Sequence, residues 1–357
     1  AGSIDIAGSL DDLIDKSRAL KISANASTSP SIDMGNLLNT EALGEMDFST
    51  GARLLLVPER PTIIVDSLMV RRARMKGYEY KGLSASARLA NDNLWARLES
   101  KDSNLVMKAL ANVDLRTHNG IAEYKLGMDV SRINTDTLGF THTGFNTGMS
   151  FGLDLNMSSD DSLYIKGSAN LHNPALFSDE GEYRPGSILI NADNDGEWQN
   201  LNLESDIFNL SLSSDKNILA IVPDFLNSSA RRDLNAICPA PGHPEEPGNH
   251  RVRLDFLNTG EITEVFFPGL YIERGTSLTA ALNDKGKLDA KLSSGRIARG
   301  LNYVKDLQLD ADNEEGRLNV HLTGTEINTS LIDIQKPVLD VTADDNRISL
   351  SSLFHDY

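Results

Sequence analysis

Asn191-Ala-Asp193-Asn-Asp195-Gly196 offers oxygen ligands at the spacing of a calcium loop, matching it at positions one, three, five and six. Position twelve is Asn202, where that chemistry needs a bidentate glutamate, and strand-like sequence flanks the stretch instead of helices. The expected reading is a hairpin turn, with Asn, Asp and Gly supplying the special backbone angles, and no metal is predicted. Histidines 118, 142, 172, 243, 250, 321 and 355 are scattered. His243 and His250 share a Pro-rich stretch, and His321 falls on the polar side of its strand. With one cysteine, Cys238, and no third converging ligand, surface histidines are expected. Ser, His and Asp are plentiful, but no Gly-x-Ser-x-Gly elbow occurs. The acid pairs Asp160-Asp161 and Asp344-Asp345 sit in predicted turns. Gly139, Gly144, Gly148 and Gly152 lack the Gly-Lys-Ser/Thr and helix of a phosphate loop, so they read as bulges or bends. Arg71-Arg72-Ala-Arg74-Met-Lys76 is the one basic cluster, read as a solvated strand face. Nothing here assembles a catalytic or cofactor site, and no enzyme activity or cofactor is predicted.

The elements that carry these residues follow a period of two. Leu278-Thr-Ala280-Ala-Leu282 turns at Asn283–Gly286 into Leu288-Asp-Ala290-Lys-Leu292. Leu307-Gln-Leu309-Asp-Ala311 turns into Leu318-Asn-Val320-His-Leu322, and Val338–Val341 turns at Ala343–Asn346 into Ile348-Ser-Leu350. Each copy is an apolar/polar alternation closed by an Asp/Asn/Gly turn, the signature of a hairpin, and the copies recur about every 30 residues. The first half keeps the rhythm: Leu83–Leu89 turns at Asn91–Asn93 into Leu94–Leu98, followed by 105–115, 149–155, 163–165, 188–192, 201–203 and 210–212. Closely spaced strands without helical interludes exclude a doubly wound α/β fold. The fold class predicted is all-β: an elongated antiparallel β-repeat, one face apolar, with a short helical and Pro-rich insertion.

That insertion is 217–250. Ile218, Ile221, Val222, Phe225, Leu226, Leu234 and Ile237 keep helical spacing across Pro223, and Cys238–Gly248 holds four of the 12 prolines. The segments expected are 1–61, an N-terminal β segment; 62–216, a β-repeat sheet; 217–250, helix and Pro-rich loop; and 251–357, hairpin repeats. At 357 residues the chain is long enough for two or three domains. Its 34 Lys and Arg against 51 Asp and Glu give −17, which argues against nucleic acid as a partner. One cysteine excludes an internal disulfide framework. No run of about 18 apolar residues suggests a membrane span, and Ala1-Gly-Ser-Ile4 reads as a strand and not as a signal peptide. The uncapped end at Leu353–Tyr357 suggests a piece of a longer protein.

The apolar face is then the feature left to interpret. A closed sandwich or barrel core and an open trough share the alternation. Six per cent aromatics and many alanines fill a thick core poorly. A leucine-lined trough uses these residues better, holding acyl chains at about 0.8 kcal/mol per buried CH₂. The candidate lining is Leu278, Ala280, Leu282, Leu288, Ala290, Leu292, Leu307, Leu309, Leu318, Val320 and Leu322.

Phe267-Pro-Gly-Leu-Tyr-Ile-Glu-Arg-Gly-Thr-Ser-Leu278, the hairpin Lys305-Asp-Leu-Gln-Leu-Asp-Ala-Asp-Asn…Leu318-Asn-Val-His-Leu-Thr-Gly324, and the runs Ile188–Gly196 and Leu203–Asp206 carry a further likeness. In this order they resemble the TamB-like proteins of the AsmA-like superfamily, in their Bacteroidetes-type version, from about residue 62 onward. The resemblance implies a β-taco, a folded sheet around a hydrophobic groove, crossing the periplasm from an inner-membrane anchor. It implies phospholipid acyl chains as cargo and a BamA-like outer-membrane barrel as partner, with no enzymatic activity. This chain would be an internal periplasmic segment. A scaffold templating exported β-barrel proteins by strand addition is the alternative function. A surface glycan-binding repeat is remoter, with only Trp95 and Trp198 as platforms.

Overall fold

The computed structural model describes residues 4–11, 20–28, 30–40, 43–56, 62–75, 77–118, 121–140, 147–160, 164–179, 181–227, 247–267, 269–313, 317–344 and 347–355. Cys238, His142, His243, Gly144, Leu163 and most of the Pro-rich stretch lie outside the described residues. The chain is all-β and antiparallel, as its alternation predicts, and divides into two compact units. The first is Ala1–Asp161 with Ala169–Arg184, and the second is Ser162–Ser168 with Pro185–Tyr357. The helical stretch near 217–227 lies inside the second unit, so the expected segment boundary at 217–250 and the division into units fall at different places.

The first unit holds β1 (Ile4–Asp11), β2 (Leu20–Thr28), β3 (Ile32–Asp33), β4 (Leu43–Leu56), β5 (Thr62–Met75), β6 (Tyr78–Ala90), β7 (Asn93–Asp102), β8 (Leu105–His118), β9 (Ile121–Asn134) and β10 (Gly148–Ser159). A one-turn helix α1 (Met34–Leu38) follows β3, its first turn capped by Asp33. The strands pair as a meander, β1–β2–β4–β5–β6–β7–β8–β9–β10, with β3 beside β4. β11 (Ile165–Ser178) contributes to both units, and β12 (Gly181–Tyr183) pairs with its end. The β6–β7 turn shows why the sequence makes hairpins. Asn91 and Asp92 take φ of 50° and 60°, the left-handed pair of a two-residue turn whose twist matches the strands.

The second unit holds β13 (Ile188–Asn194), β14 (Gln199–Glu204), β15 (Phe208–Ser214), β16 (His250–Phe256), β17 (Leu270–Ile272), β18 (Ser277–Leu282), β19 (Leu288–Arg299), β20 (Asn302–Asp312), β21 (Leu318–Thr323), β22 (Glu326–Asn328), β23 (Asp333–Asp344) and β24 (Arg347–His355). Its ladder runs β13–β14–β15–β16–β18–β19–β20–β21–β23–β24. Short β17 lies on β19, and β22 sits between β20 and β23. Pro337, inside β23, falls where the register shifts between Gln335 and Val338, a place that tolerates a residue with no amide donor.

Two helical pieces interrupt this ladder at opposite ends of β16. Before it come a 3-10 turn (Ile218–Ala220) and α2 (Ile221–Asn227); after it comes α3 (Gly260–Phe266). The helical spacing predicted from Ile218 is therefore present up to Asn227, and Pro223 lies in the first turn of α2, where a missing amide proton costs no hydrogen bond. Leu234 and Ile237 lie outside the described residues.

Candidate functional site

Alternation along each strand and pairing between strands together decide what one face presents. In the second unit the pairs Ile190–Leu203, Leu203–Leu210, Leu210–Leu254 and Leu254–Leu278 continue through Leu278–Leu292, Leu292–Leu309, Leu309–Leu322 and Leu322–Leu339. One transverse row, nine strands wide, is thus isoleucine and then leucine throughout. The row beside it is Ala192, Leu201, Leu212, Val252, Ala280, Ala290, Ala311, Val320 and Val341. Alternating large and small rows give the face a ridge of leucines beside a furrow of alanines and valines. The first unit aligns Leu68, Ala85, Leu98, Ala109, Met128 and Leu153 in one apolar row of mixed sizes.

All eleven candidate lining residues fall on this face, and the expected hairpin partners pair as Leu278–Leu292, Ala280–Ala290, Leu282–Leu288, Leu309–Leu322 and Ala311–Val320. Leu307 opposes Ser294 across β19. Their burial is what distinguishes the face from a core. Leu282 at 2% exposure and Leu307 at 7% are core-like, whereas Leu278, Ala280, Leu288, Ala290, Leu292, Leu309, Leu318, Val320 and Leu322 are only half-buried. A sealed sandwich buries such residues completely.

A third row on the same face, ending in Leu282 and Leu288, is not apolar along its whole length. At the α2 end its outermost members are Gln199, Ser214 and His250, which pair in register Gln199–Ser214 and Ser214–His250, and His250 pairs with Leu282. His250 was expected at the surface of a Pro-rich loop; it is instead the first residue of β16 and 1% exposed. The alternation His250-Arg-Val252-Arg-Leu254-Asp-Phe256 puts it on the apolar side, a signal that the neighbouring prolines obscured. Its Nε2 lies 2.7 Å from Asp224 Oδ2 of α2, and the Phe225 ring centroid is 6.2 Å away. His321 is exposed on the polar face as expected, its Nδ1 2.6 Å from Asp340 Oδ1.

The opposite face carries the charge. Arg53 grips Asp66, and Arg71 grips Asp47; in each pair the arginine's hydrogen bond holds the carboxyl below its usual range. Arg71 therefore leaves the basic cluster for an ion pair, while Arg72 and Arg74 remain exposed. Elsewhere on the sheet, Lys305 donates to Glu326 at 2.5 Å and Tyr303 also donates to it, so the Glu326 carboxyl is held low, mainly by Lys305. Arg296 stacks 4.8 Å from the Tyr303 ring centre.

The calcium-like stretch is the β13–β14 turn. Asp195 Oδ1 accepts the amides of Glu197 at 3.0 Å and Trp198 at 2.7 Å, Asn194 Oδ1 accepts that of Gly196, and Asp193 pairs with Lys166 at 3.1 Å. These backbone donors hold the Asp195 carboxyl low, Trp198 first. Among the described residues no cluster of three or more His, Cys, Asp or Glu side chains is arranged to hold a metal ion. Among the expected bulge glycines, Gly152 makes room for the imidazole of His172, and Gly148 for the ring of Phe177; a Cβ at either would overlap the ring. A bulge falls between them, at Met149 and Phe151. No helix among the described residues is long and apolar enough to cross a membrane. Comparison with known proteins brings no family model, no curated relative and no solved structure that matches this chain.

Proposed function

We propose that this chain is a non-enzymatic segment of an envelope-biogenesis protein, whose apolar sheet face forms a trough that carries phospholipid acyl chains between membranes. The observation that carries the reading is the in-register leucine row, half-buried instead of sealed. Nine strands at about 4.8 Å per step make a row about 38 Å long, against about 15 Å for the hydrocarbon of one leaflet. That length suits a track for chains passing end to end better than a pocket for one molecule. The residue types agree: an acyl chain needs no polar partner, and the middle of the face offers none. The resemblance to TamB-like proteins supplies the setting, a periplasmic location with an inner-membrane anchor elsewhere in the full protein and a BamA-like partner.

The test is photocrosslinking in cells with a benzophenone side chain at Leu309 and, as control, at Gln308. Gln308 is exposed and bonds Ser293 on the opposite face at 2.8 Å. Lipid adducts at position 309 and none at 308 are expected. Absence of adducts at both positions would remove the conduit.

One observation favours a second reading, a scaffold that templates client strands. β24 pairs only with β23 among the described residues, and its Ile348, Leu350 and Leu353 are 52%, 65% and 64% exposed. An open strand edge with apolar side chains accepts an added strand. Client crosslinks at β24 without lipid crosslinks at Leu309 would shift the assignment to the scaffold.

A further inference from the structure

Gln199, Ser214 and His250 interrupt an otherwise apolar face, and all three are buried to 1% exposure or less. The segment Ile218–Asn227 meets two of them, Gln199 and His250. Its Ile218 and Ile221 are buried, while Leu219 and Val222 point to solvent at 72% and 66% exposure. The segment is fastened by polar contacts to the same row. The Ile218 amide donates to Gln199 Oε1 at 2.7 Å, and Asp224 Oδ2 accepts the Gly248 amide at 2.9 Å and meets His250 Nε2 at 2.7 Å. Two atoms are left over: Gln199 Nε2 and His250 Nδ1 are both buried without a hydrogen-bond partner.

Buried polar atoms without partners are rare, because each forfeits its hydration. Two of them under one short helix mean that the closed arrangement satisfies the row incompletely. Leucines at these positions would deprive the Ile218 amide and Asp224 Oδ2 of a partner, so one polar atom of each side chain holds the segment down; Gln199 Nε2 and His250 Nδ1 are the two that this role leaves unused.

We infer that this row seats the oxygen-rich head of an acyl amphiphile, and that Ile218–Asn227 is the lid that lifts to admit it. The inference rests on the conduit reading and adds an entry point to it. Gln199 Nε2 is a donor and asks for an oxygen. Once α2 lifts, Asp224 leaves His250, and the freed imidazole can donate a hydrogen bond to a second head oxygen. The tail then lies over Leu282 and Leu288, the next members of the row, and reaches the leucine ridge. Lid and head compete for His250, so binding one releases the other.

The experiment compares palmitate with hexadecane, which has the tail and no head, using radiolabelled ligand and equilibrium dialysis. In the Gln199→Leu/His250→Leu double variant palmitate affinity is expected to fall about tenfold, with hexadecane binding unchanged. Leu309→Asp is expected to weaken both ligands. Hydrogen exchange on the wild-type chain supplies a readout that needs no variant to fold: palmitate is expected to speed exchange at the Ile218–Asn227 amides, and hexadecane to leave it unchanged. Wild-type palmitate affinity in the double variant, or lid amides that palmitate leaves unchanged or protects, would overturn the head seat and leave the conduit standing. Wild-type binding of both ligands by Leu309→Asp would overturn the conduit reading instead. Lysophosphatidylethanolamine in place of palmitate distinguishes a phospholipid head from a free fatty acid: the stronger binder names the source.

Discussion

Gln308 and Leu309 are neighbours in the chain with opposite surroundings, one bonded to a serine on the charged face and the other in the leucine row. Period-two alternation alone assigns each to its side, which is why the shared face of the eleven candidate residues was legible in the sequence. His250 was not, because prolines before it masked the start of its strand. Residue-level chemistry also fixes the acid response. Asp47, Asp66 and Glu326 have carboxyls held below their ordinary range by Arg71, Arg53 and Lys305. Their folded pKa values lie below the unfolded ones, so the stability they add is complete above about pH 4 to 4.5, the ordinary carboxylate values, and is lost as pH falls through the folded values. The thermal midpoint is expected to fall below about pH 4 in the wild type and to fall less steeply in an Asp47→Asn/Asp66→Asn/Glu326→Gln variant, measured by circular dichroism across a pH series.

At the scale of the element, hairpins were readable wherever a turn needed a left-handed residue, as at Asn91-Asp92 and at Gly286, with φ of 75°. Elements of two or three residues, β3, β17 and β22, leave no periodicity to detect, and α1 and α3 are too short to declare a helical face. Asp195, Asn194 and Asp193 of the β13–β14 turn each bond its own backbone or Lys166, so Asp195→Ala is expected to lower the urea-unfolding midpoint, and added calcium to leave the wild-type midpoint unmoved. Gly152 tests packing between strands. A methyl there meets the His172 ring, so Gly152→Ala is expected to cost about 1–3 kcal/mol, and Gly152→Ala/His172→Ala to recover most of it.

For the whole molecule, the net charge of −17 argued against nucleic acid partners and the few aromatics against a thick aromatic core, and the all-β class followed from alternation. The burial of the face did not, because a sealed core and an open trough demand the same pattern. Half-buried leucines in a native protein bind apolar dyes before any unfolding. Nile red fluorescence is expected to rise with the folded chain and to fall in Leu309→Asp, whereas a sealed core would bind dye only once denaturant loosens it.

The leucine row also makes the hairpins exchangeable. β19 and β23 run in opposite directions, and each aligns the same kind of residue with the strands between them: Leu292 meets Leu309, which meets Leu322, which meets Leu339. Excising residues 302–331 would keep the turn at 300–301 and let Leu292 meet Leu339 directly and Ala290 meet Val341, antiparallel and in phase. A sheet with interchangeable rungs can be lengthened or shortened by whole hairpins, its reach set by copy number and not by redesign of any one strand. The same sameness carries a hazard, since a rung that finds the wrong neighbour during folding meets no misfit to reject it.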